Sequence, residues 1–179
     1  MPDIYGAQWI ADYFSTSRVR WEHFYPSERI IFENIGLTSS VTVLDLGCAC
    51  GGLGLSLKER FGVSDYTGVE ANSSAAEQAR KLNKDAKIFA GLFGSREIED
   101  KLKSSFDLVV SLSCIDWNSD FDVTFNKAWE YVNNGGWFVF TCRLTEHQTV
   151  NDPLIGYQPL GDSGDVARYV VVSPAELSS

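Results

Sequence analysis

The sequence predicts a doubly wound α/β domain, a mostly parallel sheet with helices on both faces. Three observations carry that expectation. From residue 41 onward, apolar β-branched runs alternate with helical patterns, the order of stacked β-α units around a parallel sheet. The stretch VTVLDLGCACGGLGLSLKERFG, residues 41–62, passes from a strand pattern through a glycine-rich turn into a helix. Each crossover is long enough to return the chain in parallel.

Two helical candidates precede this core. In the first, residues 3–14, Ile4, Ala7, Ala11 and Phe14 form a stripe behind Asp3 as N-cap, and Tyr5 and Trp9 fall off it. The second covers 27–35. This aromatic-rich arm, residues 1–36, is either packed on the sheet or a lid. Strands are expected at 41–46, 66–70, 87–90, 106–112 and 137–142. Between them lie a helix at 52–60 stopping near Gly62, and one opened by Ser73 or Ser74 that carries Ala75, Ala76, Ala79 and Leu82 at helical spacing. A shorter helix at 96–103 follows, then one at 121–131 closed by the NNGG of 133–136, where Asn and Gly tolerate left-handed backbone. The chain ends in turn-rich sequence, an apolar run at 169–172, and Ser173, Pro174 and Glu176 spaced as a capping box.

With 179 residues, 44% hydrophobic and 22% charged, the chain is expected to form one domain, 1–179, with a real core. No apolar run approaches the roughly 20 residues of a membrane span, and the start has no basic or apolar leader region. The expected address is cytoplasmic, with no membrane partner. A net charge of -9 with scattered lysines and arginines argues against nucleic acid as a partner, whose phosphates call for a basic stripe. A small or cationic partner fits better. The four cysteines, unevenly spaced, read as free thiols. Cys48 and Cys50 lack a second ligand pair, and His23 and His147 are far off in sequence, so no metal is expected.

A bound nucleotide explains the 41–62 stretch better than a metal, because glycines let backbone approach a ligand where side chains would block it. Asp45 stands two positions before Gly47, and Glu70 follows Gly51 by 19 positions at the end of the second strand. That is the spacing of a carboxylate that takes ribose hydroxyls. A pyrophosphate ligand disfavours an acid at the turn, whereas S-adenosylmethionine, with its ammonium and sulfonium, suits Asp45.

VLDLGCACGG, the strand-end acid in YTGVEAN, the segment FDLVVSLSCIDW and the turn NNGGWFVFTC together resemble the class I S-adenosylmethionine-dependent methyltransferases over residues 41–142. The resemblance implies a Rossmann-like fold with S-adenosyl-L-methionine as cofactor. It implies a cofactor-binding set in which Asp45, Gly47, Ala49 and Gly51, with Cys48 between them, wrap the methionine part and Glu70, followed by Ala71, binds the ribose. Leu92 with Phe93 flanks the adenine, and Ser113 sits beside the cofactor after the fourth strand. Two departures are visible: Ala49 replaces the middle glycine, which is harmless at negative φ, and Leu92 stands where an acid often meets the adenine amino group. The family's sixth and seventh strands are also unmatched, so the last strands are expected to be missing, as in a truncated domain.

Methyl transfer is an in-line displacement that depends chiefly on positioning, with a general base needed only for some acceptors. Catalytic candidates are Asp116, past the fourth strand, and His147, past the fifth, with His23 in the arm a third option. Trp117 either stacks an acceptor or packs under the next helix. The expected activity is methylation of a small-molecule acceptor. Alternatives are a protein acceptor, a non-catalytic S-adenosylmethionine-binding module, or an NAD-type dehydrogenase. An open sheet edge leaves a homodimer in view.

Overall fold

In the computed structural model, which describes residues 8–102, 105–118, 120–152, 154–160 and 165–177, the chain enters through α1 (Gln8–Phe14), a 3-10 turn and α2 (Pro26–Asn34). It then alternates β1 (Thr42–Leu46), α3 (Gly52–Phe61), β2 (Asp65–Glu70), α4 (Ser73–Leu82), β3 (Lys87–Ala90), α5 (Arg96–Glu99), β4 (Phe106–Ser111), α6 (Phe121–Glu130) and β5 (Val132–Phe140). The five strands form one sheet in the order β3-β2-β1-β4-β5. Every pairing in it is parallel, so the carboxyl ends share one edge.

Successive strand residues point to opposite faces, and here both faces are apolar. Val43, Leu108, Val110 and Val139 pack with Leu53 and Leu57 of α3 and with Ala76 and Ala79 of α4. Their neighbours Leu44, Val109 and Val69 pack on the other side with Ile98 of α5 and Ala128 of α6. A strand hydrophobic at every position is buried on both sides, and this sheet is doubly wound as expected. The arm joins the first layer: Trp21, Phe24 and Phe32 belong to the α3–α4 core, and Ala11 is buried against Cys50 and Ala75. Of the predicted stripe, Ala11 and Phe14 are the members seen, Trp9 is exposed as expected, and residues 1–7, with Asp3, Ile4 and Ala7, lie outside the described residues.

Three expectations need correction. The NNGG of 133–136 does not close the preceding helix; that helix ends at Glu130 with Tyr131 as its cap, and the four residues run inside β5. Gly135 at φ +79° lies in a register shift between Phe106 and Leu108 on the paired strand. A bulge and a helix cap demand the same left-handed backbone, which is why the residues misled. The fifth strand is correspondingly Val132–Phe140 rather than 137–142. The third crossover helix is Arg96–Glu99 where 96–103 was expected, of which residue 103 lies outside the described residues.

Beyond β5 the chain forms β6 (Arg143–Leu144), a hairpin of β7 (Tyr157–Leu160) and β8 (Asp165–Arg168), β9 (Val171–Val172) and α7 (Pro174–Leu177). β6 pairs with β9 in parallel and β7 with β8 antiparallel. The run at 169–172 supplies β9, and Glu176 N–H donates to the Ser173 carbonyl as α7 begins. Among the described residues no helix is long and apolar enough to cross a membrane.

Asp107 ties the far edge of the sheet. Its Oδ2 accepts the Thr42 N–H and hydroxyl, each at 2.9 Å, and its Oδ1 accepts the Asn133 side-chain amide at 2.8 Å. Replacing Asp107 with Ala should cost about 2–3 kcal/mol in a urea titration, as expected for lost hydrogen bonds to a charged acceptor. Because this edge is opposite the carboxyl ends, ligand affinity should stay unchanged.

Candidate functional site

At the carboxyl edge β1 runs into a tight loop. Gly47 and Cys48 both donate their N–H to the Val69 carbonyl, at 2.8 and 3.1 Å, folding the loop back over β2. Gly47 has φ +73°, and a Cβ there would meet the Cys114 sulfur at 2.3 Å, so no other residue fits. Gly51 also has positive φ but faces α4, where a Cβ would lie 2.5 Å from Asn83. It therefore shapes the loop without lining the cavity.

Ala49 sits at φ +47°, so the condition under which its methyl group would be harmless, a negative φ, is not met. Its N–H is aimed at Glu70 Oε2, 2.9 Å away, while Glu70 Oε1 accepts the Asn72 N–H at 2.7 Å. The left-handed conformation costs an L-residue roughly 1–2 kcal/mol, and the charged hydrogen bond offsets it. Glu70 thus links the loop after β1 to the start of α4. Burial pushes its pKa up, and the backbone N–H groups of Asn72, Ala49 and Ala71 pull it back down.

Asp45 is 3% exposed. Its Oδ2 accepts the Tyr66 hydroxyl at 2.5 Å, and its Oδ1 takes no hydrogen bond among the described residues. Burial raises its pKa to about 7 from 3.8, opposed by the Tyr66 hydrogen bond, reinforced by the charge of Glu70 and relieved by Arg18. Cys48 and Cys114 report the same field: burial first, then Asp45 and Glu70, push both thiols up, Cys114 to about 12. The site is negative, as an anionic phosphate ligand would not want and a cationic one would.

A cavity of about 350 Å³ opens between these groups and the arm, within the range of small-ligand pockets. It is lined by Asp45, Gly47, Cys48, Ala49, Glu70, Ala71, Leu92, Phe93 and Ser113, so nine of the ten expected cofactor-binding residues converge on it and Gly51 stands behind them. The arm contributes Ile10, Tyr13, Phe14, Ser17, Arg18, Phe24 and Tyr25, and the segment after β4 adds Ile115, Trp117, Asn118 and Thr124. Among the described residues, the non-glycine positions with positive φ are Arg18, Ala49 and Ser113, and all three line this cavity. Strain of that kind gathers at functional sites. The arm is therefore core on one side and cavity wall on the other.

The two catalytic candidates are not brought together. Asp116 is 2% exposed, beside the cavity rather than in its lining. Its Oδ2 accepts the Arg143 side chain at 2.7 Å and the Arg143 N–H at 3.0 Å, and its carbonyl accepts the Val170 N–H at 2.7 Å. Arg143 lies over both Trp117 and Tyr169, 4.1 and 4.2 Å from their ring centres, which makes Trp117 both packed and cavity-facing. His147 is exposed and lies outside the cavity lining. His23 accepts the Val19 N–H at 3.3 Å. The four cysteines are free, and among the described residues no three metal-ligating side chains cluster.

Residues 44–138 match the family model described as a methyltransferase domain. The chain belongs to this family. A chain from the complex of the Haloferax volcanii Trm112 methyltransferase activator with its methyltransferase superposes on this methyltransferase domain with a TM-score of 0.64 at 20% identity, over 82% of this chain and 63% of that one. The S-adenosylmethionine-dependent methyltransferase from Thiobacillus denitrificans, crystallised with S-adenosyl-L-homocysteine, gives 0.53 at 18% identity over 78% and 55%. Its counterpart from Geobacter sulfurreducens, also with S-adenosyl-L-homocysteine, gives 0.51 at 14% over 65% and 48%. These likenesses establish the Rossmann-like methyltransferase fold, and the chain spans less than two thirds of each of those structures. No curated protein matches the sequence.

Two measurements test this geometry. Ala49→Gly should stabilise the protein by about 1 kcal/mol and Ala49→Val should destabilise it, read from urea midpoints, because only the first relieves the left-handed position. Asp45 holds a proton in the native state that the unfolded chain loses near pH 4, so its contribution is present at low pH and lost as pH rises toward 7. The full span is roughly 4 kcal/mol, about three pK units at 1.36 kcal/mol each. Asp45→Asn should remove that slope, so that the variant gains on the wild type between pH 5 and pH 8.

Proposed function

We propose that the chain binds S-adenosyl-L-methionine in the cavity at the carboxyl edge and directs methyl transfer to a small-molecule acceptor. The observation that carries this reading is the pair of buried carboxylates at the tips of adjacent parallel strands, Asp45 with an unengaged oxygen and Glu70 braced by backbone amides. Their negative field fits a ligand carrying an ammonium and a sulfonium and opposes the pyrophosphate of a dinucleotide, which weighs against the dehydrogenase alternative.

The residues present fit this ligand. Asp45 would take the ammonium, Glu70 the ribose hydroxyls, and Ala71, Leu92 and Phe93 the adenine end, with Gly47, Cys48 and Ala49 giving close backbone approach and Ser113 bordering the methyl end. When bound, the cofactor supplies an electrophilic methyl group on sulfur. The arm and Trp117 then hold the acceptor in line and keep water out. Asp45 and Glu70 are the only carboxylates among the lining residues, so the favoured acceptor is one that needs no protein base. Asp116 acts in this reading as a positioning residue for Trp117, through Arg143, and His147 takes no part.

An acidic chain with an arm-roofed cavity favours a small acceptor over nucleic acid, and its free thiols suit the cytoplasm. The similarity to a chain from an activator complex favours one further element: a protein partner that completes or stimulates the domain.

Calorimetric titration with S-adenosylmethionine and S-adenosylhomocysteine tests the reading. Saturable binding should weaken by about 1–3 kcal/mol in Glu70→Ala, with far-UV circular dichroism checking the fold. Affinity should rise with pH up to about 7, the pKa of Asp45, with a proton released on binding at pH 6. Absence of binding by the wild type at any pH would overturn the assignment.

A further inference from the structure

The part of the cavity wall supplied by the end of the segment after β4 and by the start of α6 carries no charge. It consists of Ile115, Trp117, Asn118 and Thr124. Trp117 is held as a fixed, flat surface: Arg143 lies over its ring at 4.1 Å, Asp116 holds Arg143 at 2.7 Å, and Tyr169 meets the ring edge-on at 6.0 Å. Beside it the Asn118 side chain donates to Thr124 Oγ1 at 2.6 Å and accepts the Asp120 N–H at 3.0 Å. A neutral amide is thus pinned at both ends next to an indole. The arm adds the rings of Tyr13, Phe14, Phe24 and Tyr25 to the same cavity.

Three thiols on the wall show what this site does to a group that must give up a proton. Cys48, Cys50 and Cys114 all line the cavity. Burial first, then the charges of nearby carboxylates, pushes each thiol up, Cys50 to about 11 and Cys114 to about 12. A phenol, thiol or carboxylic acid bound here meets the same resistance, and no histidine or lysine stands among the described lining residues to take its proton. An anionic acceptor is repelled by Asp45 and Glu70. Arg18, the one cation among the described lining residues, is already paired with both oxygens of the buried Glu28, at 2.9 and 3.0 Å. A protonated amine has no lone pair to offer.

We propose that the methyl acceptor is an uncharged aromatic nitrogen heterocycle of the pyridine type, stacked on Trp117 and methylated on its ring nitrogen. The proposal rests on the S-adenosylmethionine reading above. The nitrogen lone pair forms the bond to the methyl carbon as the carbon–sulfur bond breaks, and the electrons of that bond stay on sulfur. The sulfonium becomes a neutral thioether, the ring nitrogen takes over the positive charge, and no proton is released. Total charge in the cavity is the same before and after transfer. The negative field that suits the cofactor therefore suits the product cation, and no proton has to leave past the arm. A flat aromatic acceptor gains orientation from stacking on a ring that is already fixed, and an uncharged one is not stripped of a charge's hydration as it enters.

The test measures methyl transfer from S-adenosylmethionine to pyridine and isoquinoline, set against phenol and 2-naphthol of the same two sizes and against benzylamine, with products read by mass spectrometry. The wild type should methylate the heterocycles with kcat/KM at least roughly 100-fold above the size-matched hydroxyl compounds, the least that a missing base costs an acceptor that needs one. With the cofactor saturating, the rate on isoquinoline should be independent of pH above about 8, where no group on enzyme or acceptor has to change protonation. Trp117→Leu should raise KM for isoquinoline roughly 3- to 10-fold, the worth of an aromatic stack, with S-adenosylhomocysteine affinity checking that the site is intact. Faster transfer to a hydroxyl compound or to benzylamine, or transfer to neither heterocycle while calorimetry shows S-adenosylmethionine bound, overturns the proposal and leaves the cofactor reading standing. An unchanged KM in Trp117→Leu overturns the placement on Trp117. A wild type that binds no cofactor removes both readings.

Discussion

Glu70 holds two things at once. Its carboxylate accepts the N–H of Ala49 in the loop after β1 and the N–H of Asn72 at the start of α4, so the geometry of the loop depends on a charge kept almost out of water. A buried carboxylate is tolerated only when its lone pairs are occupied, and here backbone amides do most of that. The parallel pairing of β1 with β2 brings the two strand tips side by side, and the remaining features of the edge, from the left-handed Ala49 to the position of Asp45, follow from that crossing.

The same crossing explains why the site is expensive to maintain. Burial, reinforced by the charge of Glu70, makes ionising Asp45 costly, and Asp45 holds its proton up to about pH 7. Tyr66 stabilises it with a hydroxyl, and Gly54 lets the ring come close, since a Cβ there would lie 2.7 Å from it. A glycine inside α3 weakens that helix by about 1 kcal/mol relative to alanine. Stability is thus given up at several positions in favour of one electrostatic arrangement, as expected where function and folding compete.

The fold and the acidic half of the site were legible because their signals are local. Strand, glycine turn and helix are contiguous in 41–62, and the distance from Gly51 to Glu70 is one β-α-β unit. The arm's half of the cavity was not legible. Arg18, Tyr13, Phe14, Phe24 and Tyr25 reach Asp45 and Ala49 only through space, across a segment with no periodic pattern, and aromatic residues read equally well as core. The positive φ of Ala49 and Ser113 has no sequence signal at all, because it is imposed by Glu70 in one case and accompanied by a hydrogen bond from Ser113 N–H to Thr141 Oγ1 in the other. NNGG failed for the opposite reason: its signal for left-handed backbone was real, and two different structures use it. For residues 143–169 the sequence offered only turn residues, and the hold on Arg143 and Val170 at the two ends comes from Asp116, a residue that short-range patterns mark as an ordinary turn acid.

That last dependence shapes how this protein can diverge. The segment between β6 and β9 starts at Arg143 and ends at Val170, and Asp116 grips both ends, one through its carboxylate and one through its carbonyl. Between them the segment is tied again at Val150, which pairs with Val171, and at Gly156, whose carbonyl accepts the Tyr169 N–H. Its length and composition can drift among descendants while the cavity wall at Trp117 keeps its shape, much as a bridge deck can be replaced between standing piers.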